Sequence, residues 1–219
     1  MQRIVTIGWW CAWMGAWASP VAGQTRDPEE VLRTAEGAYA AMSTMRADFR
    51  QALEIAALEQ RREGRGTIYQ KKPDFFLMRF EQPAGDFVLA DGTYFWMYTP
   101  STETPQAIRT PMERTPEGAD LHRQFIRGAS ERYVPTYVKT DTVAGRSAHL
   151  LALVPKFDSS LTLVRVWIDA EDHLIRRFEM WEANGTRRTV ELRNVRIDVP
   201  LPDSLFQWTP PRGVQVVDR

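Results

Sequence analysis

Residues that could support nucleophilic or metal chemistry are few and scattered. The chain has three histidines, His122, His149 and His173, and a single cysteine, Cys11. The histidines fall in different predicted elements, and none has a second ligand at metal-binding spacing. Hydrolytic triads need a base beside the nucleophile, and the sequence has no nucleophile-elbow, phosphate-loop or dinucleotide motif. We therefore expect a protein that is not an enzyme and uses no metal or other cofactor.

Two pairs of adjacent arginines, Arg176-Arg177 and Arg187-Arg188, lie within predicted strands. Since side chains alternate across a strand, each pair sends one guanidinium to each face. Solvated strand edges and a partner-docking patch both remain open as interpretations. The chain has 28 basic and 28 acidic residues, so its net charge gives no indication of nucleic-acid binding.

The strongest pattern is apolar. Two predicted strands, 75–80 and 94–98, carry aromatic or apolar side chains on both faces, whereas an antiparallel sheet usually buries one face and wets the other. The second face must be covered by helices, another sheet or an apolar ligand. A plain packed core and a lipid-lined cavity of adaptable rings and methionines both fit this pattern. The residues of interest are Phe76, Met78, Trp96, Phe178 and Met180.

The order of elements predicts how these residues are positioned. The sequence Asp27-Pro28-Glu29-Glu30 is typical of a helix start. Apolar residues then recur with helical spacing as far as Met42 and Met45, which predicts one amphipathic helix. A second helix is predicted over 120–131, and 202–206 can form one helical turn. Turn signals at 62–64, 91–92 and 184–185 separate the strands. The predicted strands are 48–59, 64–71, 75–82, 86–91, 93–99, 106–109, 133–143, 147–154, 161–169, 173–182, 187–198 and 214–217.

Successive hairpins imply one large antiparallel sheet. Two helices cannot cover both faces of such a sheet, so we expect it to curve and receive the helices on its concave side. The predicted fold is therefore of the α+β class: an incomplete, half-closed antiparallel β-barrel with an α-helical lid over an apolar cavity.

The N-terminus has the pattern of a secretory signal. Arg3 precedes a short apolar stretch at 4–18, and small residues at Val21 and Gly23 place the cleavage before Gln24. We expect a signal peptide at 1–23 and a single, exported domain at 24–219. Without Arg3, 27 basic residues stand against 28 acidic ones.

A series of short motifs resembles the periplasmic outer-membrane lipoprotein carrier family (LolA-type). The motifs follow one another over nearly the whole of 24–219, and the closing run is the most specific. They are FRQ at 49–51, GTI at 66–68, KKP at 71–73, Phe76, QP at 82–83, VLADG at 88–92, WMY at 96–98, Pro100, LVPK at 153–156, LIRRF at 174–178 and LFQWTPPRGV at 205–214.

This resemblance implies a function and a set of partners. Such carriers take acylated lipoproteins from an inner-membrane ATP-driven release complex, shield the acyl chains and deliver them to an outer-membrane lipoprotein receptor. Parity and resemblance together place Phe76, Met78, Trp96, Phe178 and Met180 on the cavity wall. From the helices, the residues expected to face the cavity are Tyr39, Met42 and Ile126.

One position departs from the family pattern. An arginine before the proline of the KKP segment latches the lid in the family, and Lys72 stands there in this chain. Lysine keeps the charge but lacks the planar fork of donors, so Lys72 is either the lid latch or a turn-edge lysine. We expect a monomer. The alternative functions are binding of a free lipid or other apolar metabolite by the same fold, an esterase, and a structural envelope protein.

Overall fold

The computed structural model describes residues 26–101, 106–114 and 125–219. Helix α1 spans Pro28–Ala41, and a four-residue helix, α2, spans Ala129–Arg132. Short 3-10 turns lie at Ala56–Leu58, Met112–Arg114 and Asp203–Phe206. The strands are β1 Thr44–Ile55, β2 Gln60–Lys71, β3 Phe75–Gln82, β4 Phe87–Asp91, β5 Tyr94–Tyr98, β6 Gln106–Pro111, β7 Tyr133–Val143, β8 Arg146–Pro155, β9 Leu161–Asp169, β10 Ile175–Glu182, β11 Thr186–Ile197 and β12 Gln215–Asp218.

All twelve strands belong to one sheet, in the order β12-β6-β5-β4-β3-β2-β1-β11-β10-β9-β8-β7. Neighbouring strands are antiparallel, except that β12 runs parallel to β6. Two hairpin series, β1 to β6 and β7 to β11, meet where β1 pairs with β11. The edge strands β7 and β12 do not pair with each other, so the sheet is open, as predicted.

Helix α1 begins as the sequence predicts. The Asp27 carboxylate accepts a hydrogen bond from the Glu29 N–H, and Pro28 occupies the first turn. The helix ends earlier than predicted: Met42 is already extended, and Met45 lies in β1. Both methionines are nevertheless buried in the same core as the helix, which explains why their spacing resembled a helical stripe.

The predicted turns meet different outcomes. The turns at 91–92 and 184–185 are confirmed, with φ of 89° at Gly92 and 82° at Gly185. The turn predicted at 62–64 is wrong, because these residues lie inside β2 and the chain reverses at Ala56–Leu58. A Cβ on Gly64 would meet the Phe80 ring at 2.9 Å. Glycine is therefore required there by side-chain packing rather than by a turn.

Clusters of buried apolar residues lie on both faces of the sheet. We call the face under α1 the inner face and the other the outer face. The inner core joins α1, the segment from Phe125 to Ala129 and residues from β1 to β4 and β8 to β11. On the outer face, the C-terminal segment packs over β2 to β6 through Leu201, Leu205, Phe206, Trp208, Val214 and Val216. Strand β3, one of the two-sided apolar strands, thus has a cover on each side.

Only part of the second predicted helix is described. Phe125, Ile126 and α2 are placed, whereas residues 120–124 lie outside the described ranges. Within those ranges, no helix has both the length and the apolar character needed to span a bilayer.

Candidate functional site

Seven of the eight predicted lining residues come together on the inner face. All seven are at most 9% exposed and belong to the core between the helical segments and the sheet. They come from both helical segments and from both halves of the sheet. They are Tyr39, Met42, Phe76, Met78, Ile126, Phe178 and Met180.

Trp96 is the exception, and the prediction that it shares this wall is corrected. In the register, Trp96 faces Leu89, which faces Leu77, so these three residues share the outer face. The Trp96 ring lies 5.3 Å from the Trp208 ring, and its Nε1 donates to Asp91 at 2.8 Å. Counting parity across the 91–92 hairpin would have found this.

The same register identifies inner-face residues that the sequence analysis missed. Phe95 faces Ala90, and Met97 faces Val88. Ala90 belongs to the inner core, and Val88 packs against it. Met97 is 38% exposed. We call α1 together with the segment from Phe125 to Arg132 the helical cover. The apolar inner face therefore continues past this cover toward β5.

In this conformation the described helical segments pack against the inner face. The Phe125 and Phe178 rings lie 5.1 Å apart, and Tyr39 and Phe125 are fully buried. The Tyr39 hydroxyl accepts a hydrogen bond from the Ile175 N–H at 3.2 Å. Side chains of the protein thus occupy the position where the resemblance places acyl chains.

Lys72 lies at the junction of helix and sheet. Its Nζ donates to the Ala40 carbonyl, in the last turn of α1, at 2.6 Å. A cation at this end of a helix also complements the helix dipole. The preceding Lys71 bonds instead to the Leu201 carbonyl and to Asp203. Two adjacent lysines therefore fasten the two covers, one on each face of the sheet.

Further polar contacts of the helical cover lie at its periphery. The Ser130 hydroxyl donates to the Glu29 carboxylate, which links α2 to α1. Lys156, in the loop after β8, donates to the Ser130 carbonyl at 2.6 Å. The centre of the contact is apolar, whereas these hydrogen bonds fix its rim.

A cation, Arg188, also lies on the inner face. Arg188 follows the same alternation as Val190 and Leu192 of β11, both of which are buried in the inner core. Loss of hydration lowers the pKa of its guanidinium. The preceding residue, Arg187, lies on the outer face and forms an ion pair with Glu54 at 2.6 Å. The adjacent arginines 187 and 188 therefore send one charge to each face, as predicted.

The histidines form no common site in the described ranges. His149 is buried, and its Nδ1 lies 3.4 Å from the Tyr137 hydroxyl oxygen. Burial lowers the pKa of the His149 imidazole. His173 lies in the turn before β10, and His122 is outside the described ranges. Among the described residues, no three His, Cys, Asp or Glu side chains are arranged to hold a metal ion.

The outer face carries open polar grooves. One groove, of about 520 Å³, runs over β2, β1, β11 and β10, and its lining includes Arg50, Arg65, Arg177 and Glu191. A neighbouring groove of about 370 Å³ shares Arg50 and Arg65. None of the eight predicted lining residues borders either groove, so neither groove is the expected lipid cavity.

The structure is thus an open, mostly antiparallel sheet whose apolar inner face lies under a helical cover. Comparison with known proteins gives the family. The model of the family "Outer membrane lipoprotein carrier protein LolA" matches residues 40–209. The chain therefore belongs to the LolA family.

Individual relatives agree with this assignment. The outer-membrane lipoprotein carrier protein of Haemophilus influenzae (strain PittEE) is 25% identical over 189 residues, which cover 82% of this chain and 83% of that protein. The carrier protein of Pasteurella multocida is 25% identical over 183 residues, covering 81% and 82%. A conserved protein of Thermus thermophilus has a similar structure, with a TM-score of 0.56, 15% identity and coverage of 87% and 98%. That structural likeness shows the fold alone.

Proposed function

We propose that this protein is an exported carrier that shields the acyl chains of lipoproteins released from the inner membrane. The observation that carries the proposal is the contact between the helical cover and the inner face. It is apolar at its centre and tied by hydrogen bonds at its rim, among them the one from Lys72 to Ala40. Such a cover can separate from the sheet without breaking the backbone pairing of β1 to β11.

Energetics explain why such a carrier is needed. Moving one CH₂ group out of an apolar environment into water costs about 0.8 kcal/mol. A lipid anchor with roughly 40 such groups would then need about 30 kcal/mol to leave a membrane unaided. A soluble shuttle has to offer a comparable apolar surface and release it again. In the closed form, Tyr39, Ile126 and Phe125 are buried against that surface and cover part of it before cargo arrives.

The carrier works in the periplasm after loss of the leader at 1–23, which lies outside the described residues. It takes acylated lipoproteins from an inner-membrane ATP-driven release complex and passes them to an outer-membrane receptor. Displacing the cover reduces the net affinity for cargo, and a receptor that binds more tightly then draws the cargo onward. It carries cargo rather than catalysing a reaction, and it works as a monomer.

The proposal is tested by incubating purified protein with spheroplasts that release lipoproteins. We expect lipoprotein to appear in the soluble fraction in a one-to-one complex with the carrier, and only when the carrier is added. Size exclusion with light scattering gives the stoichiometry. If lipoprotein remains with the membranes at every carrier concentration, the proposal is wrong.

A second candidate function is binding of a free amphiphilic lipid by the same inner face. The observation that favours it is Arg188, a cation among apolar residues. Native mass spectrometry of protein purified from the periplasm separates the two functions, since an acylated protein and a small lipid differ greatly in mass.

A further inference from the structure

Arg188 lies within the apolar surface of the inner face. In the strand register it stands opposite Leu53 on β1 and opposite Met180 on β10. Directly opposed residues of antiparallel strands share a face. Val190 lies two residues further along β11, faces Phe178 and is 1% exposed. One charged side chain thus sits beside the residues proposed to hold acyl chains.

This guanidinium is not held in a direct ion pair. Among the described residues Arg188 forms no ion pair, and its Nε is buried without a hydrogen-bond partner. The carboxylate of Glu182, on the neighbouring strand, acts on it only through space, and desolvation lowers its pKa. Two other arginines of these strands are in ion pairs: Arg187 pairs with Glu54, and Arg177 pairs with Glu179. A half-buried cation without an ion pair is costly, and the native fold keeps it.

Two further polar groups share this end of the inner face. Gln51, which faces Val190, has a buried Oε1 without a hydrogen-bond partner in the described chain. Arg62 stands opposite Leu53 from the β2 side and is exposed. Leu53 is thus flanked by Arg188 and Arg62, whose backbones are about 10 Å apart across two strand spacings. We call Arg188, Arg62 and Gln51 the polar end of the inner face.

We propose that the polar end binds the anionic head group, carboxylate or phosphate, of a single-chain amphiphile whose acyl chain lies along Met180 and Phe178. The inference rests on the proposed lipid-binding role of the inner face and adds a ligand class to it. The ester and amide carbonyls of a lipoprotein anchor are neutral and leave the charge of Arg188 uncompensated. An anionic head supplies the missing charge and accepts from the planar fork of the guanidinium.

Binding of three twelve-carbon probes tests this proposal: laurate, dodecyl phosphate and uncharged dodecanol. Each is titrated into the full mature chain, and displacement of a fluorescent apolar dye is measured at pH 7.5. We expect laurate or dodecyl phosphate to bind at least about tenfold more tightly than dodecanol, which corresponds to one charge-assisted hydrogen bond. The stronger of the two anions identifies the head group. Inorganic phosphate alone is expected not to displace the dye, and displacement by it would point to a free-anion site and overturn the proposal.

Arg188→Met is expected to remove the preference for the anionic probes and leave dodecanol binding unchanged. Arg188→Lys keeps the charge and should retain part of the preference. Arg187→Met is the matched control, because it removes the neighbouring guanidinium from the outer face and should leave the preference intact. The melting temperature of Arg188→Met should equal or exceed that of the wild type, because an uncompensated charge is gone. A lower melting temperature would show a structural role and contradict the inference.

The outcomes distinguish this inference from the function on which it rests. If dodecanol displaces the dye and the anionic probes bind no better, the polar end is not a head-group site, while the apolar site stands. If none of the three probes nor the dye binds, both proposals fail together. Preservation of the anionic preference in Arg188→Met would also overturn the inference.

Discussion

At the scale of single residues, two adjacent lysines each bind one of the two segments that cover the sheet. Lys71 reaches the C-terminal segment on the outer face, and Lys72 reaches the end of α1 on the inner side. A resemblance to the family predicts a latch at position 72, and the Nζ of Lys72 lies 2.6 Å from the Ala40 carbonyl. Lysine makes this contact through a single flexible amine, where arginine would offer several donors.

Replacing Lys72 with leucine should loosen the helical cover. Loss of one hydrogen bond of charged type removes about 1.5–3 kcal/mol from the closed form, so we expect stronger binding of an apolar fluorescent dye. Lys72→Arg should stay closed. Lys139→Leu, at an exposed lysine on β7, controls for the added apolar side chain. Dye fluorescence equal to that of the wild type would make Lys72 incidental to closure.

Phe178 is the residue through which cover and wall meet. Its ring contacts that of Phe125 and is 5% exposed. Phe178→Glu places a carboxylate in this apolar contact, where burial without a partner is unfavourable. We expect lipoprotein uptake from spheroplasts to be abolished while circular dichroism shows the sheet retained. Phe157→Glu, at a phenylalanine that is 74% exposed, should take up lipoprotein normally. Uptake by a folded Phe178→Glu variant would remove Phe178 from the site.

At the scale of elements, the ends of β8, β9 and β10 are joined by a buried carboxylate. Asp169, in β9, accepts hydrogen bonds from Arg146 of β8 and from the N–H groups of Glu171 and Asp172. Arg176 of β10 lies 3.2 Å from it. Burial by itself raises the pKa of this carboxyl, but the hydrogen bonds and nearby guanidinium charges outweigh that effect. The net result is a pKa well below the usual value.

This carboxylate gives a pH-dependent contribution to stability. Its folded-state pKa lies below the unfolded value of about 3.9, so the folded state binds fewer protons. The contribution is therefore complete at neutral pH and is lost as pH falls through the folded-state pKa. We expect Asp169→Asn to lower the free energy of unfolding by about 2–3 kcal/mol at pH 7.

Urea denaturation at pH 7 and pH 3 measures this effect, and the difference between variant and wild type should shrink at pH 3. Asp203→Asn, at an exposed carboxylate paired with Lys71, serves as the control. It should cost less than about 1 kcal/mol, because surface ion pairs are weak. An equal loss for Asp169→Asn at both pH values would contradict the titration argument.

At the scale of the whole molecule, the structure is a closed form. The resemblance predicts an apolar interior able to take acyl chains, and in the structure Tyr39, Phe125 and Ile126 are buried against the inner face. Cargo can enter only if the helical cover moves. The sheet is one continuous ladder, whereas the cover is held by side chains, so the cover is the separable part.

Native-state hydrogen exchange tests this division. We expect the amides of α1 to exchange through a local opening of lower free energy than that of β1 and β11, which open only with global unfolding. Lys72→Leu should speed exchange in α1 and leave β1 unchanged. Identical protection of α1 and β1 in the wild type would show that the cover does not open by itself.

Much of the site could be predicted because strand parity is a local property. The alternation of Phe76 with Leu77 and of Phe178 with Arg177 specifies which residues share a face within each strand. Parity between strands is not local: Trp96 was assigned to the wrong face because its placement depends on the register through β4. The limits of β2 were missed for a related reason, since Gly64 serves the packing of a distant ring, Phe80.

The sequence by itself determined the hairpin order, the two-sided apolar strands and the family motifs, because each is written in neighbouring residues. Only the tertiary structure decided what covers each face. Helix α1 lies over the inner face, and the C-terminal segment around Trp208 lies over the outer face. The tertiary structure also placed Arg188 beside apolar residues, with no ion pair to any residue that the structure describes. Both results depend on contacts between residues far apart in the chain, and those contacts are set by sheet register and by competition among apolar segments for the same surface.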